Sequence, residues 1–217
     1  MIIAIDGPAG SGKSTIARMI AEALGFAYVN SGSIYRAMTL RLLECSGDPS
    51  DVLAVLECAR AASIQYQGGR LFLDGRDVND ELRSAKVDAV VAQISAIPPL
   101  RDVVNAHVRA IAGTTDAVVE GRDMTTVVFP DADAKFYLDA SSESRALRRY
   151  NQGVNTSSLE EIERNIEMRD AIDRSKSVGS LKIAPDAFYL DSSGLTIQEV
   201  YDKVYGKILH IREPHGR

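Results

Sequence analysis

Gly7, four intervening residues and then Gly12-Lys13-Ser14 make up the run GPAGSGKS, which follows the apolar segment IIAI and enters the helix-like stretch STIARMIAEAL. Glycines lack a Cβ, so their backbone N–H groups can curl around an anion, and a helix starting just after the turn directs its positive end at the same point. Lys13 adds a point charge there, and Ser14 is placed to hold Mg2+. Strand, glycine-rich turn and helix in that order are the context that the P-loop pattern requires. They assign the phosphates of a nucleoside triphosphate to Gly7, Pro8, Ala9, Gly10, Ser11, Gly12, Lys13, Ser14 and Thr15. At the very start of a helix, Lys13 is expected to be exposed.

Further charged clusters surround this loop in the sequence. The strand-like DAVVE leads into Gly121-Arg122-Asp123, which delivers a cation and a carboxylate at the C-terminal end of a strand, where ligands bind in a parallel sheet. SGSIYR, Ser31 to Arg36, follows a second strand; Ser31 or Ser33 is expected to cap the next helix, with Arg36 about one turn in. In SSLEEIERNIEMRDAIDRSK a capping box of Ser158 and Glu161 starts a helix whose apolar stripe is Leu159, Ile162 and Ile166. Continued, that stripe becomes Arg169, Asp173 and Lys176. Two cations and a carboxylate on a face that buries aliphatics imply that the face leaves the core and lines a polar cleft. Upstream, Arg145, Arg148 and Arg149 lie at helical spacing before the polar loop NQGVNTSS, which reads as a lid that carries cations onto phosphates.

Apolar runs alternate with helical patterns, as in an α/β fold with a parallel sheet and crossover helices. Strands are expected at Ile2–Ile5, Ala27–Val29, Ala117–Val119, Lys135–Leu138 and Phe188–Leu190. Helices are expected near Lys13–Leu24, Ile34–Cys45, Ser142–Tyr150, Leu159–Arg174 and Thr196–Leu209. Between residue 48 and about 112 the rhythm changes to a hairpin, with Ile64, Tyr66, Leu71 and Leu73 alternating around Gly68-Gly69, then two helical stretches split at Pro98-Pro99. This segment reads as an insertion into the sheet. The last residues, REPHGR, read as a loose tail.

At 217 residues and 45% hydrophobic the chain can bury a full core, and its net charge of −5 argues against a general nucleic-acid or anionic-membrane binder. No basic leader precedes the first strand and no run of about 18 apolar residues occurs, so a cytoplasmic protein is expected. Cys45 and Cys58 have no metal-type spacing and read as reduced thiols. A guanine-specific Asn-Lys-x-Asp element is absent, as is an apolar strand ending in Asp-Glu of the kind found in ATPase motors. A P-loop ATPase or switch is therefore the weaker alternative to a kinase of small acceptors.

Taken together, IDGPAGSGKST, SGSIYRA, RLFLDGRDV with ELR after it, Pro98-x-x-Arg101, GRDMTTVVFPDADAKFYLDAS, the RD and DR pair, and PDAFYLDSS resemble the bacterial cytidylate kinases within the nucleoside monophosphate kinases. The resemblance spans nearly the whole chain. It implies a single P-loop kinase domain, an acceptor-binding insertion at about residues 48–112 and a lid at about 148–158. It implies ATP as donor, Mg2+ as its companion ion, CMP and dCMP as acceptors, and a monomer with no nucleic-acid or membrane partner. Acceptor-phosphate contacts fall on Arg36 and Arg122, cytosine recognition on Arg101 and Asp123, and ribose contacts on Arg169 and Asp173, with Ser31 also at the nucleotide site. Lys13, Arg122, Arg169 and the lid cations Arg148 and Arg149 are implied for catalysis, and Lys176 stands where the family has a second arginine near the lid. Ala92 replaces a base-contacting serine, Gly179-Ser180-Leu181 replaces Ala-Pro-Leu, and Asn30 replaces an aspartate. UMP, a modified cytidylate or another small acceptor is the nearest alternative substrate.

Overall fold

A computed structural model of the chain describes residues 1–67, 69–151 and 158–212. Gly68 of the hairpin, residues 152–157 of the expected lid and all but the first residue of the expected tail lie outside the described residues. The chain divides into two compact units, one formed by Met1–Phe26 with Ala117–Arg217 and the other by Ala27–Asp116.

The first unit holds β1 (Ile2–Asp6), α1 (Lys13–Leu24), β6 (Ala117–Gly121), β7 (Ala134–Asp139), α6 (Ser142–Asn151), α7 (Leu159–Ser175), β8 (Phe188–Asp191) and α8 (Ile197–Arg212). Its strands run in the order β6-β1-β7-β8 and every pairing is parallel. Ile3, Ala4 and Ile5 pair on one side with Val118, Val119 and Glu120, and on the other with Ala134, Lys135 and Phe136. Parallel strands covered by helices on both faces need continuous apolar runs. Ile3, Ala4, Ile5, Val118, Val119, Phe136 and Leu138 are fully buried, which is why IIAI and AVV read as strands without alternation. The register sets Asp6 beside Gly121, so the loops after β1 and β6 leave the same sheet edge next to each other.

Helix α1 runs over the expected residues and packs Ile16, Ala17, Ile20 and Ala21 inward. It stops at Gly25, whose left-handed φ of 68° suits a residue with no Cβ. The capping box of α7 is present in both directions: Ser158 Oγ accepts from Glu161 N, and Glu161 accepts from Ser158 N. Ile162 and Ile166 are buried against Ala146 of α6, with Leu159 at the margin.

The second unit contains β2 (Ala27–Asn30), α2 (Ser31–Glu44), α3 (Val52–Arg60), β3 (Ile64–Gln67), β4 (Arg70–Leu73), β5 (Arg76–Asp77), α4 (Ala85–Ile94) and α5 (Pro98–Ala112). The hairpin pairs Ile64 with Leu73 and Tyr66 with Leu71, and β5 adds a third, short strand that the alternation alone did not reveal. Proline at the first positions of α5 separates it from α4, since a proline tolerates only the start of a helix. Helix α2 begins three residues earlier than expected. Its cap is Asn30, whose Oδ1 accepts from Ser33 N at 3.1 Å, rather than Ser31 or Ser33.

Candidate functional site

Gly7 leaves β1 with φ 148°, and a Cβ there would run into the carbonyl oxygen of Leu138, so only glycine fits between the two strands. Gly12, at φ 93°, opens α1 without any side-chain cap. The first N–H groups of α1 are therefore left facing a concave loop, which suits a phosphate.

Lys13 is not exposed as its place in the sequence suggested; only 4% of it is accessible. Its Nζ donates to Pro8 O at 2.6 Å and lies 3.4 Å from Ser11 Oγ. Burial pushes the ammonium down to about 7, and the Arg122 guanidinium acts in the same direction, against Glu120, Asp6 and Asp173, which favour the charge. The difference comes from the loop itself, which folds Pro8 O and Ser11 Oγ onto the ammonium.

Arg122 and Lys176 share one carboxylate. Arg122 Nε donates to Asp173 Oδ2 at 2.8 Å, and Lys176 Nζ donates to Asp173 Oδ1 at 2.8 Å. Burial raises the Asp173 carboxyl, but the two cations outweigh it and hold the group at about 2. The far end of the α7 stripe therefore does leave the aliphatic core, as the sequence implied. Arg169, one turn earlier, is half-buried. Asp123 is almost completely buried at the head of a single π-helical turn, Met124–Val128.

That turn is held by a residue the motifs did not single out. Asp6 Oδ1 accepts from Met124 N at 2.9 Å, and Oδ2 accepts from Thr125 N at 2.7 Å and from Thr125 Oγ1 at 2.6 Å. Burial pushes Asp6 up to about 6 against these three hydrogen bonds. The only cue in the sequence is a carboxylate ending an apolar strand.

The arginines of α6 are not interchangeable cations. Arg145 is buried and paired with Asp170 of α7, Nη1 to Oδ1 at 3.1 Å and Nη2 to Oδ2 at 2.6 Å. Arg148 donates through Nη2 to Ser192 O at 2.6 Å and through Nη1 to Ser192 Oγ at 3.2 Å, and Ser192 Oγ has Asp139 O at 2.9 Å and Ser11 O at 3.2 Å as alternative acceptors for its one hydrogen. Arg149 is half-buried, its Nε 3.6 Å from where a Cβ on Gly10 would stand. Asp170 and Ser192 lie within the RD and PDAFYLDSS segments, which give neither of them a role. Asp170 was detectable, because it continues Ile162 and Ile166 at i+4 spacing.

In the second unit Ser31 is buried at the first position of α2. Arg36 donates to Leu82 O at 2.8 Å and forms an ion pair with Asp88 at 2.6 Å. Arg101 is buried, donates to Ser95 O at 3.1 Å, and lies over the Tyr35 ring at 5.6 Å from its centroid. Ala92 is exposed on α4. No cluster of three metal-ligating side chains occurs among the described residues. Ser14 stands half-buried at the start of α1.

The sequence profile of the family described as cytidylate kinase matches residues 3–210. A cytidylate kinase of Caldanaerobacter subterraneus subsp. tengcongensis is 42% identical over 209 residues, covering 95% of this chain and 93% of that protein. One from Thermodesulfovibrio yellowstonii is 42% identical over 216 residues, covering 95% of this chain and 97% of its own. Among solved structures, an uncharacterized protein from Eubacterium ventriosum superposes over 99% of both chains with a TM-score of 0.51 and 14% identity, a likeness of fold alone.

Proposed function

The chain belongs to the cytidylate kinase family, and from that premise we propose that it is a nucleoside monophosphate kinase that transfers the γ-phosphoryl group of ATP to CMP, and also to dCMP. The observation that supports this most directly is the buried Lys13 at the end of the glycine-rich loop, its Nζ held by Pro8 O at 2.6 Å. A lysine at the start of a helix that follows such a loop is placed to meet the donor phosphates. Arg122, which follows the end of β6, supplies a cation for the acceptor phosphate.

The attacking oxygen of a nucleoside monophosphate is already ionised at neutral pH, since its second pKa is about 6. No general base is needed, and the work is positioning and charge neutralisation. We assign the donor phosphates to Gly7–Thr15 with Lys13, the acceptor phosphate to Arg36 and Arg122, the base to Arg101 and Asp123, and the ribose to Arg169 and Asp173, with Ser31 at the nucleotide site. Lys176 supports Asp173, and Arg148 and Arg149 supply cations from α6. Residues 48–112 form the acceptor-binding insertion and 148–158 the lid in this reading. Ser14 would hold Mg2+, which when bound neutralises phosphate charge. The protein is assigned to the cytoplasm as a monomer acting on free nucleotides, without a nucleic-acid or membrane partner; no helix among the described residues is long and apolar enough to cross a membrane.

The test is ADP release with ATP and Mg2+ over a panel of CMP, dCMP, UMP, AMP, GMP and no acceptor. A carboxylate such as Asp123 only accepts hydrogen bonds, so it suits the amino group of cytosine and opposes the carbonyl of uracil. One such mispairing is worth about 1–3 kcal/mol, so CMP should exceed UMP by roughly ten- to two-hundredfold in kcat/KM. With Ala92 in place of a base-contacting serine, the lower end is expected. Asp123→Asn should narrow the ratio, because an amide can turn to donate. A preference for UMP or AMP, or a ratio unchanged in Asp123→Asn, refutes the base assignment, and turnover independent of acceptor points to an ATPase.

Protonation of Lys13 gives a second check. With its ammonium at about 7 in the unliganded protein, Lys13 is largely neutral at pH 8. Phosphate binding favours the charged form, so ATP binding at pH 8 should take up close to one proton, and affinity should fall as pH rises from 7 toward 10. Calorimetry in two buffers of different ionisation enthalpy measures the uptake; a value near zero contradicts the assignment.

A further inference from the structure

Two carbonyl oxygens of the glycine-rich loop are held by buried cationic side chains. Pro8 O accepts from Lys13 Nζ at 2.6 Å and Ala9 O from Arg145 Nη1 at 3.1 Å. The C=O and N–H of one planar trans peptide point in opposite directions, so a bond that fixes the Ala9 carbonyl also fixes the direction of the Gly10 N–H. We propose that Arg145, neutralised by Asp170, is a positioning residue of the phosphate-binding loop that aims the Gly10 N–H and thereby sets the affinity for the phosphates of ATP.

The geometry of the guanidinium argues for this role over direct phosphate binding. Arg145 Nε donates to Ala140 O at 2.8 Å, Nη1 is shared between Ala9 O and Asp170 Oδ1, and Nη2 is bound to Asp170 Oδ2. Both members of the ion pair are 3% exposed, and each charge meets its counter-charge, so the side chain can grip a backbone carbonyl without leaving net charge in the interior. The pair fixes α6 to α7 directly behind the loop. The fit is close at Gly10 as well, where a Cβ would stand 3.4 Å from Arg145 Cβ. A planar fork that makes two parallel bonds to a carboxylate and a third to a carbonyl has no lysine equivalent.

The proposal rests on the reading of the loop as an ATP site. Arg145→Lys, Asp170→Asn and Asp170→Glu are compared with the wild type in thermal stability, in KM for ATP and CMP, and in Kd for ATP. Arg145→Lys and Asp170→Asn should raise KM and Kd for ATP by about ten- to a hundredfold, as expected when binding groups lose their alignment, while KM for CMP stays within about twofold. Asp170→Glu keeps the charge and should recover most of the ATP affinity. A residue that only supports the fold would lower the melting temperature without separating the two KM values. ATP affinity unchanged in folded variants, both KM values rising alike, or loss of folding in all three variants overturns the positioning role. A wild type that does not bind ATP removes the ATP reading together with the proposal, whereas a wild type that binds ATP beside variants that bind it equally well removes the positioning role alone.

Discussion

Lys13→Ala should lower kcat by roughly a thousandfold or more with CMP as acceptor, while the protein remains folded. Loss of one group aimed at the developing charge of an acyl or phosphoryl transfer costs about a hundred- to a thousandfold or beyond. Lys13 has few substitutes, because it is buried where phosphates would lie and is held by Pro8 O. Stability should move the other way. The folded-state value of about 7 lies below the ordinary lysine value of 10.5. The unfolded chain therefore binds more protons between these limits, so the cost of burying Lys13 is largest at pH 7 and below and fades toward pH 10.5. Against the lost hydrogen bond to Pro8, the alanine variant should melt at or above the wild-type temperature near pH 6–7, and that relative advantage should shrink by pH 9–10. Steady-state kinetics with circular dichroism melts at the two pH values check both halves. Activity within tenfold of wild type, or an unfolded variant at pH 7, contradicts the assignment.

The second large effect belongs to the acceptor arginines. Arg36→Ala and Arg122→Ala should each raise KM for CMP and slow transfer, with much less change in ATP affinity. A charge-assisted hydrogen bond to phosphate is worth about 1.5–3 kcal/mol, or one to two decades. Arg122→Ala should be the more severe. It leaves the buried Asp173 carboxylate with the Lys176 ammonium but without the guanidinium that also neutralises it. Arg36 stands on α2 with Asp88 and Leu82 as its partners, and its loss disturbs no buried carboxylate. Equal losses of ATP and CMP affinity in both variants would undo the division of the site between donor and acceptor.

The parts of this site that the sequence disclosed are those governed by neighbours close along the chain. The glycine spacing before Lys13, the capping box at Ser158 and the break at Pro98 each obey local backbone rules, and each appears where those rules place it. The parts that stayed hidden depend on distant partners. Asp6 meets Met124 and Thr125 across 118 and 119 residues, and Ser192 meets Ser11 across 181. A carboxylate at a strand end or a serine in a turn carries no mark of such a partner. Burial of Lys13 is likewise not marked in the sequence, because it depends on how the loop folds its Pro8 carbonyl back onto the ammonium. Arg145 was visible as one of three cations beside a polar loop, but its separation from Arg148 and Arg149 depends on Asp170. Asn30, a departure from the family pattern in the sequence, caps α2 in the structure.

The reciprocal cap at Ser158 has a bearing on which length changes the gene can tolerate. A helix takes its rotational phase from its own first turn, and Asp170 and Asp173 lie 12 and 15 residues beyond that cap. Residues can be added or removed between Asn151 and Ser158 without turning either carboxylate, because the new helix would still start at the same serine and glutamate. A single residue inserted after Glu161 turns everything downstream by about 100°, at 3.6 residues per turn. It would carry Asp170 away from Arg145 and Asp173 away from Arg122 in one step. Length variants of such a chain should therefore accumulate on the N-terminal side of the cap, with the span from Ser158 to Lys176 kept at constant length.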